Sequence, residues 1–401
     1  MATHAPVTGS ASQVSQRYRR SRRSELAVWW REIDRVLLLL VLALMAIGTV
    51  AVAAASPASA RRLSTAHVKL DDLHFFAQHL RWQALGLVAM FVASQFGKEM
   101  ARRFGIGLAL AMVLALMLVP LIGVEVNGAH RWLYLGVTFQ PSEFLKPAFA
   151  IAIAWILSWR VRDPNLPVVE VSIGVIALVA VLLMIQPDFG STILFCGVWF
   201  ALVLLSGLSL RRIILAGVAG VAGLAAAFVF YANARNRILE FLFGGTAFDQ
   251  VDLAQRTLLA GGWTGSGLWL GTRKLALPEA HTDYIFSVIG EEFGLLVCGV
   301  IVLLYVAIVI RVLFRLIEEE DLFTVLAAAG LTVQLGGQAF INIFVNLQLF
   351  PSKGMTLPLI SYGGSSTVAL CLGIGLLLAI TRRNPFIKRE RVSWRDIGEQ
   401  Q

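Results

Sequence analysis

The sequence predicts an all-α polytopic membrane protein with about ten transmembrane helices. Hydrophobic residues make up 57% of the 401 residues, charged residues make up 15%, and the mean hydropathy is +0.74. Several apolar runs approach the roughly 20 residues that a helix needs to cross a bilayer. This composition excludes an ordinary soluble domain and a disordered chain. The net charge of +9 does not indicate nucleic-acid binding, because the arginines cluster beside the apolar runs, where they set membrane orientation.

Ten helices follow from the apolar runs, and a large external loop over residues 232–282 separates the seventh helix from the eighth. A short hairpin tip joins the fifth and sixth helices, where Pro187 stops one helix and Asp188 is placed to cap the next. The predicted helices are 34–55, 80–97, 104–122, 141–159, 168–186, 190–207, 211–231, 283–310, 323–346 and 364–381.

The chain is predicted to consist of one membrane domain between two polar tails. Residues 1–33 form a basic tail that is expected to be disordered, residues 34–381 form the ten-helix domain, and residues 382–401 form a second basic tail. A cleavable signal peptide is not expected, because the first apolar run begins only after a long polar leader. The cysteines lie inside apolar runs without metal-ligand spacing, so we interpret them as small buried hydrophobes: Cys196, Cys298 and Cys371.

The positive-inside rule predicts the orientation of the domain. Basic residues follow the second, fourth, sixth, eighth and tenth helices, which places them on one side together with both termini, and that side is predicted to be cytoplasmic. The opposite side receives loops 56–79, 123–140, 232–282 and 347–363, so any chemistry is expected at the external membrane surface. The basic residues are Lys98, Arg102, Arg103, Arg160, Arg162, Arg211, Arg212, Arg311, Arg315, Arg382, Arg383, Lys388, Arg389 and Arg391.

The stretch 277–294 places polar and charged groups at the mouth of an apolar helix. An aspartate at the centre of a membrane helix costs roughly 2.5–3.5 kcal/mol on insertion scales, so acids here are expected to be functional. A helix that opened at Asp283 would place Ser287 and Glu291 on the same face. The structural alternative is an interfacial cap with a buried, hydrogen-bonded acid. Two small residues would let a neighbouring helix approach closely: Gly290 and Gly294.

The external loop contains two further segments of interest. Residues 235–243 form an amphipathic segment that would lie in the membrane interface. Residues 261–271 are rich in glycine and would let backbone N–H groups approach a phosphate. Trp263 and Trp269 either stack on sugar rings or anchor in the interface, and the second role is the commoner one for tryptophan.

Two transmembrane helices carry polar residues that their apolar surroundings do not explain. In the fourth helix, Glu143 complements the positive helix end. Lys146 lies one turn deeper, and one explanation for it is an ion pair with Glu143. The ninth helix carries a polar stripe, which interhelical hydrogen bonding explains at least as well as a substrate groove does. The loop 351–366 follows, with serines that would cap the tenth helix. The stripe is Gln334, Gln338, Asn342 and Asn346.

Five short motifs occur in order along the chain: NGAHRW (127–132), QPSE (140–143), QPDFGS (186–191), PEAHTD (278–283) and ISYGGSS (360–366). Together they resemble the SEDS family (shape, elongation, division and sporulation), membrane glycosyltransferases that polymerise lipid II into peptidoglycan. The resemblance covers roughly residues 34–386. Segments 289–294 and 353–360 are more similar to the division-type members than to the elongation-type members. The chain departs from many division members in Leu275, where they carry an acid, and in Tyr284, where phenylalanine is usual.

The resemblance implies polymerisation of lipid II at the periplasmic face by inverting displacement of undecaprenyl pyrophosphate. It also implies a class B penicillin-binding transpeptidase and other division proteins as partners. Asp283 matches the family's catalytic aspartate, and the attacking sugar hydroxyl does need a base. Departing phosphates need cations, and Lys146 would contact them or pair with Asp283. Candidate supporting residues are Lys146, Glu143, Arg131, Asp188, His281, Glu279, Arg256 and Ser361, with Arg273 and Lys274 as further cations.

The cofactor and the competing functions stay open at this point. Mg²⁺ or Mn²⁺ is a possible cofactor, although the chain has no D-x-D motif to hold it, and no organic cofactor is expected. A lipid II flippase is the chief rival, because a polytopic bundle with intramembrane acids and a polar stripe also suits a transporter. An elongation-type polymerase and a division scaffold with partner-recruiting tails are the other readings. Asp71 and Asp72, in the first external loop, are the alternative candidates for the general base.

Overall fold

The computed structural model describes residues 26–383 except 65–68, 127–128, 135, 137, 162, 164, 208–209, 245 and 352–353. All ten predicted transmembrane helices are present within these residues. The first seven are α1 (Arg35–Leu63), α2 (His74–Ser94), α3 (Lys98–Ile122), α4 (Pro141–Ser158), α5 (Val168–Ile185), α6 (Phe189–Leu205) and α7 (Leu210–Phe230). The 232–282 loop contains α8 (Ala232–Phe243) and α9 (Thr246–Ala260). The last three are α10 (Ile285–Leu316), α11 (Leu322–Asn346) and α12 (Gly364–Ile380).

The predicted fold class is confirmed. Among the described residues, six helices are long and apolar enough to cross a membrane, namely α1, α3, α4 with the short 3-10 turn after it, α5, α10 and α11. Two shorter apolar helices, α6 and α12, accompany them. A small antiparallel sheet lies in the loop between α3 and α4, with β1 (Val124–Val126), β2 (Ala129–Tyr134) and β3 (Thr138–Phe139) in the order β1-β2-β3. The chain is therefore a multi-pass membrane protein.

Residues 35–380 form one compact unit, whose interior is built around α12 and α4. α12 packs against α2 and α4, while α4 also packs against α3 and α11. Small residues permit this close approach, which is how helices associate in a membrane. A Cβ atom added to Gly86 of α2 would lie 2.9 Å from the sulfur of Cys371 in α12. Cys298 and Cys371 are buried without disulfides, as predicted, whereas Cys196 is only half-buried.

The terminal segments form a small separate unit. Residues 26–32 are helical, although the whole segment 1–33 was predicted to be disordered. Within this unit Arg382 pairs with Glu32 over 3.0 Å between the guanidinium Nε and the carboxylate. The rest of the two predicted tails, residues 1–25 and 384–401, lies outside the described residues, as does Arg162.

α10 is interrupted at Gly294, although the sequence predicted a continuous helix. Gly294 has φ 85° and ψ 170°, a conformation that a side chain would strain, and it divides the helix into residues 285–293 and 295–316. The carbonyl of Trp263 and the amide of Gly265 occupy the space where a Cβ would lie. The amide N–H groups released by the break donate to this loop instead, from Leu295 to Gly262 O at 3.0 Å and from Leu296 to Trp263 O at 3.2 Å. The break is therefore the point at which the long loop hydrogen-bonds to the helix.

Candidate active site

Asp283 lies in a turn that precedes α10 by two residues, and its side chain is partly exposed. The turn is closed by backbone N–H groups of Thr282 and Tyr284, which donate to Glu279 O at 3.1 and 3.3 Å. Asp283 therefore does not open the helix, and the predicted polar face shared with Ser287 and Glu291 is wrong. Ser287 points instead to α11, and the Glu291 carboxylate accepts N–H groups of the preceding loop.

The polar stripe of α11 holds the backbone of this turn. The side-chain amide of Asn342 donates to Asp283 O at 2.8 Å, and that of Asn346 donates to the same carbonyl at 3.2 Å. The amide oxygen of Asn346 accepts from both the N–H and the hydroxyl of Ser287, at 3.2 and 2.7 Å. For Gln338, Asn342 and Asn346 the structure thus bears out hydrogen bonding between segments, because buried backbone groups need partners. The amide nitrogen of Gln334 is buried without a partner among the described residues.

The loop between α11 and α12 forms the other wall of the turn. Ser361 donates its hydroxyl hydrogen to Thr282 O at 2.6 Å and accepts the N–H of Leu357 at 2.7 Å. A small cavity of about 10 Å³, close to the volume of one water molecule, lies between the loop and the turn. A Cβ on Gly354 would lie 3.5 Å from Asp283 Oδ2. The cavity is lined by Asp283, Tyr284, Ile341, Asn342, Val345, Gly354 and Met355.

Lys146 is buried and pairs with Glu143 over 2.7 Å, which confirms the alternative of a pair three residues apart on α4. Its ammonium also donates to the amide oxygen of Gln338 at 3.3 Å. Gln338 in turn donates to Thr356 O at 3.0 Å, in the loop that carries Gly354. Lys146 therefore supports the loop beside Asp283 through Gln338, and the direct ion pair with Asp283 is not the contact that this structure shows.

Two buried carboxylates at the start of α10 clamp the long loop onto the helix. Glu291 accepts the backbone N–H groups of Arg273 and Lys274 at 2.6 and 2.9 Å. Glu292 accepts N–H groups from Trp269 and from Gly271, and it pairs with the ammonium of Lys274. Lys274 is buried, and it also donates to Ala54 O of α1 at 2.9 Å. Its charge is therefore neutralised inside the protein.

Glu291 confirms the alternative of a buried, hydrogen-bonded acid in this stretch, but the clamp itself, in which both carboxylates bind the loop, was not predicted. The available signal was the pair of adjacent acids at the start of an apolar helix, since buried carboxylates must find several donors. The predicted close approach at Gly290 is confirmed, but the neighbour is α9 of the loop, whose Leu258 contacts it. Gly294 likewise meets the loop, at Trp263 and Gly265.

The remaining polar candidates form hydrogen bonds or ion pairs with segments other than the Asp283 turn. Arg131 of β2 donates to Gln186 O at 2.9 Å and to Pro187 O, and thereby binds the tip between α5 and α6. The side chain of Asp188 accepts the N–H of Ser191 at 3.1 Å, so its predicted role as a cap is confirmed. Arg256 is exposed and pairs with Asp252 over 2.8 Å. Asn127 lies outside the described residues.

His281 and Glu279 belong to the turn itself. His281 is buried, its ring lies 4.2 Å from the ring of Phe75 and 5.3 Å from that of Tyr362, and its Nδ1 has no hydrogen-bond partner among the described residues. Burial disfavours the charged imidazolium and lowers the pKa of His281 to about 4. Glu279 is exposed, and its carboxylate accepts the hydroxyl of Thr282 at 2.9 Å. His281 is therefore a neutral packing residue at physiological pH.

The described residues contain no group of three histidine, cysteine, aspartate or glutamate side chains that would hold a metal ion by protein ligands alone. The arrangement offers one partly exposed carboxylate on a turn whose backbone is held rigidly by α11 and by the loop after it. Such a group, fixed in position and open to solvent on one side, is suited to accept a proton from a bound hydroxyl.

Comparison with known proteins gives one consistent result. The FtsW/RodA/SpoVE family model, described as cell cycle protein, matches residues 34–385. The probable peptidoglycan glycosyltransferase FtsW of Caulobacter vibrioides is 35% identical over 377 residues, which cover 94% of this chain and 96% of that protein. The probable peptidoglycan glycosyltransferase FtsW of Methylococcus capsulatus is 36% identical over 366 residues, which cover 87% of this chain and 89% of that protein.

Solved structures show the same architecture. A chain from a peptidoglycan synthase complex that coordinates polymerization and crosslinking aligns with a TM-score of 0.71 and 28% identity, over 87% of this chain and 97% of that one. The rod shape determining protein RodA of Thermus thermophilus aligns with a TM-score of 0.66 and 27% identity, over 89% of this chain and 99% of that one. The resemblance to the SEDS family that the motifs indicated is confirmed.

Proposed function

The chain belongs to the FtsW/RodA/SpoVE family, and we propose that it is a peptidoglycan glycosyltransferase that polymerises lipid II during cell division. The observation that carries the proposal is the rigidly held turn with the partly exposed Asp283, the last residue of the PEAHTD motif. Relatives named FtsW, which match nearly the whole chain, support the division-type activity over the elongation-type one.

The proposed reaction is a single inverting displacement with Asp283 as the general base. The hydroxyl oxygen of the acceptor sugar forms a bond to the anomeric carbon of the donor as its proton passes to the Asp283 carboxylate. The bond from that carbon to the pyrophosphate oxygen breaks, and undecaprenyl pyrophosphate leaves with the electron pair. Positioned general bases contribute about 10²–10⁴-fold to such rates.

The leaving pyrophosphate requires positive charge near the turn. Lys146 and Lys274 are buried in ion pairs with Glu143 and Glu292, so they support the site from within. Arg256 and Arg273 keep exposed side chains on the long loop and are the better candidates to contact phosphate oxygens. A divalent ion bound with the substrate would neutralise charge on the departing pyrophosphate.

The proposed location is the cytoplasmic membrane at the division septum, with both termini cytoplasmic and the Asp283 turn periplasmic. The basic residues after the even-numbered transmembrane helices support this orientation. The partner would be a class B penicillin-binding transpeptidase, since a peptidoglycan synthase complex contains a similar chain. Reporters fused after Arg102, Arg211 and Arg315 are expected to be cytoplasmic, and one inside the 232–282 loop periplasmic. A periplasmic signal at Arg315 would reverse the orientation.

A lipid II flippase is the alternative, and its best sequence support was the polar stripe of α11. Asn342 and Asn346 are occupied by hydrogen bonds to backbone, which weakens that support. The test is a pair of assays on the purified chain in vesicles with its transpeptidase partner and a divalent ion. We expect glycan strands from lipid II, visible by gel electrophoresis. Absence of polymer together with movement of lipid II between leaflets would assign the flippase instead.

A further inference from the structure

The segment of the long loop that lies on α10 presents large apolar side chains to its surroundings. Within residues 263–270, which we name the tryptophan loop, Trp263 is 71% exposed, Leu270 is 69% exposed and Trp269 is 55% exposed. Leu268 of the same loop is also exposed. Soluble surfaces rarely show such a contiguous apolar patch unless it meets a partner or a membrane. The proposed glycosyl transfer uses none of these side chains.

The tryptophan loop is held in place rather than loosely attached. The carboxylate of Glu292 accepts the N–H groups of Trp269 and Gly271, and the backbone carbonyls of Glu291 and Glu292 accept those of Ser266 and Gly267 at 2.8 and 3.0 Å. Since these bonds fix the backbone on both sides of the patch, the outward side chains cannot turn inward without breaking them. Their exposure is therefore a property of the fold.

Two helices give the distance of this loop from Arg35, at the start of α1, and from Leu316, at the end of α10. In α1, the carbonyl of Ala53 accepts the indole N–H of Trp269 at 3.1 Å, and Ala53 lies 18 residues beyond Arg35, or about 27 Å along the helix. In α10, the residues after the Gly294 break run to Leu316, about 33 Å, and begin where Leu296 donates to Trp263 O. Both distances are close to the hydrocarbon thickness of roughly 30 Å.

We propose that the tryptophan loop is a membrane-interface anchor, with Trp263, Trp269 and Leu270 inserted at the boundary between headgroups and acyl chains. The leaflet is the one opposite to Arg35 and Leu316. The indole of Trp263 suits this boundary, because its ring is apolar and its N–H is polar. Trp269 would insert its ring while its N–H donates to Ala53 O. A partner protein or a bound sugar is the competing occupant of the patch, but neither explains why the loop lies about one hydrocarbon thickness from the opposite end of α10 and from Arg35 of α1.

The test is nitroxide accessibility in vesicles of phosphatidylethanolamine and phosphatidylglycerol that contain the full chain. Trp263→Cys and Leu270→Cys carry the label, in a background where the half-buried Cys196 is changed to alanine. Two exposed positions serve as references: Asp71→Cys, in the loop between α1 and α2, for water, and Leu303→Cys, in the middle of α10, for lipid. The two probes are oxygen, which concentrates in the bilayer, and a neutral nickel chelate, which remains in water.

We expect the labels at 263 and 270 to give oxygen-to-nickel accessibility ratios between the two references and clearly above the ratio at 71. Ratios equal to that at 71 would show a water-exposed patch and overturn the proposal. Labels shielded from both probes would show a protein contact and overturn it as well. Size-exclusion elution identical to that of the parent chain establishes folding, and if Trp263→Cys fails this control, Leu270→Cys, which removes no hydrogen bond in the structure, decides the outcome.

Discussion

The side-chain amide of Asn342 donates a hydrogen bond to the backbone carbonyl of Asp283, with 2.8 Å between nitrogen and oxygen. The same amide donates to Met355 O at 2.7 Å, so one buried residue of α11 joins the aspartate turn to the loop after α11. Neither acceptor lies in a helix or a strand, and a buried carbonyl without a partner costs about 1–3 kcal/mol. The position of the proposed base is therefore determined by α11.

Asn342→Ala is expected to reduce lipid II polymerisation about 10–100-fold while the chain still folds. Met355 O would lose the bond from Asn342, and Asp283 O would keep only the longer bond from Asn346, at 3.2 Å, so the turn would shift. Displacement of a catalytic group by about 1 Å can cost 10²-fold. Thr332→Val is the matched control, because Thr332 is buried on the same helix and, among the described residues, its hydroxyl bonds only to Ala328 O of that helix. The measurement is the yield of glycan strands per amount of folded protein. Equal losses in the two variants would mean that general destabilisation of α11 is responsible.

Asp283→Asn is expected to lower the polymerisation rate by about 10²–10⁴-fold with little change in substrate binding, because the amide keeps the size of the side chain but cannot accept the proton. Single-turnover assays with labelled lipid II would measure the rate and the binding separately. Asp71→Asn and Asp72→Asn are the controls, as the competing acids of another loop. If Asp283→Asn polymerised lipid II normally while Asp71→Asn or Asp72→Asn lost activity, the general base would be an acid of that loop and not Asp283.

The sequence was sufficient to predict the transmembrane helices and the hairpin tip between α5 and α6, because both depend on local patterns. Long apolar runs define the helices, and the caps follow from residues such as Asp188, whose carboxylate does accept the N–H of Ser191. The main error in the helices is Gly294, which looked like a small packing residue. A glycine can allow either a close contact between segments or a positive φ. The sequence does not distinguish these uses, because the positive φ of Gly294 depends on how the neighbouring loop packs.

The partners of the charged residues could not be predicted, because they depend on which segments meet in space. Lys274 was a candidate for the substrate phosphates, yet it is buried between Glu292 and the carbonyl of Ala54 in α1, 220 residues away in sequence. Lys146 had three alternatives, and the local one, Glu143, is the contact seen. A pair within one helix can be deduced from spacing, whereas a contact between helices requires the packing.

His281 makes the stability of the turn dependent on pH. Its ordinary pKa of about 6.5 falls to about 4 because the ring is buried against Phe75 and Tyr362. Above pH 6.5 the ring is neutral in both the folded and the unfolded chain. Between pH 6.5 and 4 only the unfolded chain binds the proton, so the folded chain loses up to about 3 kcal/mol of stability, and the loss is complete below pH 4.

His281→Phe is expected to flatten this dependence. Thermal unfolding in detergent between pH 7 and 4 would give a smaller fall in melting temperature for the variant than for the parent chain, since phenylalanine keeps the ring contacts and has no proton to bind. Other carboxylates and histidines titrate equally in both proteins, so the difference between the two curves isolates His281. Parallel curves would contradict the assignment of a depressed pKa to this residue.

Gly354→Ala is expected to impair catalysis more than it impairs folding. Gly354 has φ +61°, so alanine would strain the backbone by about 1 kcal/mol. Its methyl group would lie 3.5 Å from Asp283 Oδ2, on a side of the carboxylate where we expect the acceptor hydroxyl to bind. Gly136→Ala separates the two effects, because Gly136 has φ +82° and no atom of the described residues lies within 4 Å of an added Cβ. Both variants should lose similar amounts of thermal stability, but only Gly354→Ala should lose polymerisation, by about tenfold or more if the methyl group displaces the hydroxyl by 1 Å. Full activity of Gly354→Ala would show that this side of the carboxylate is not where the sugar binds.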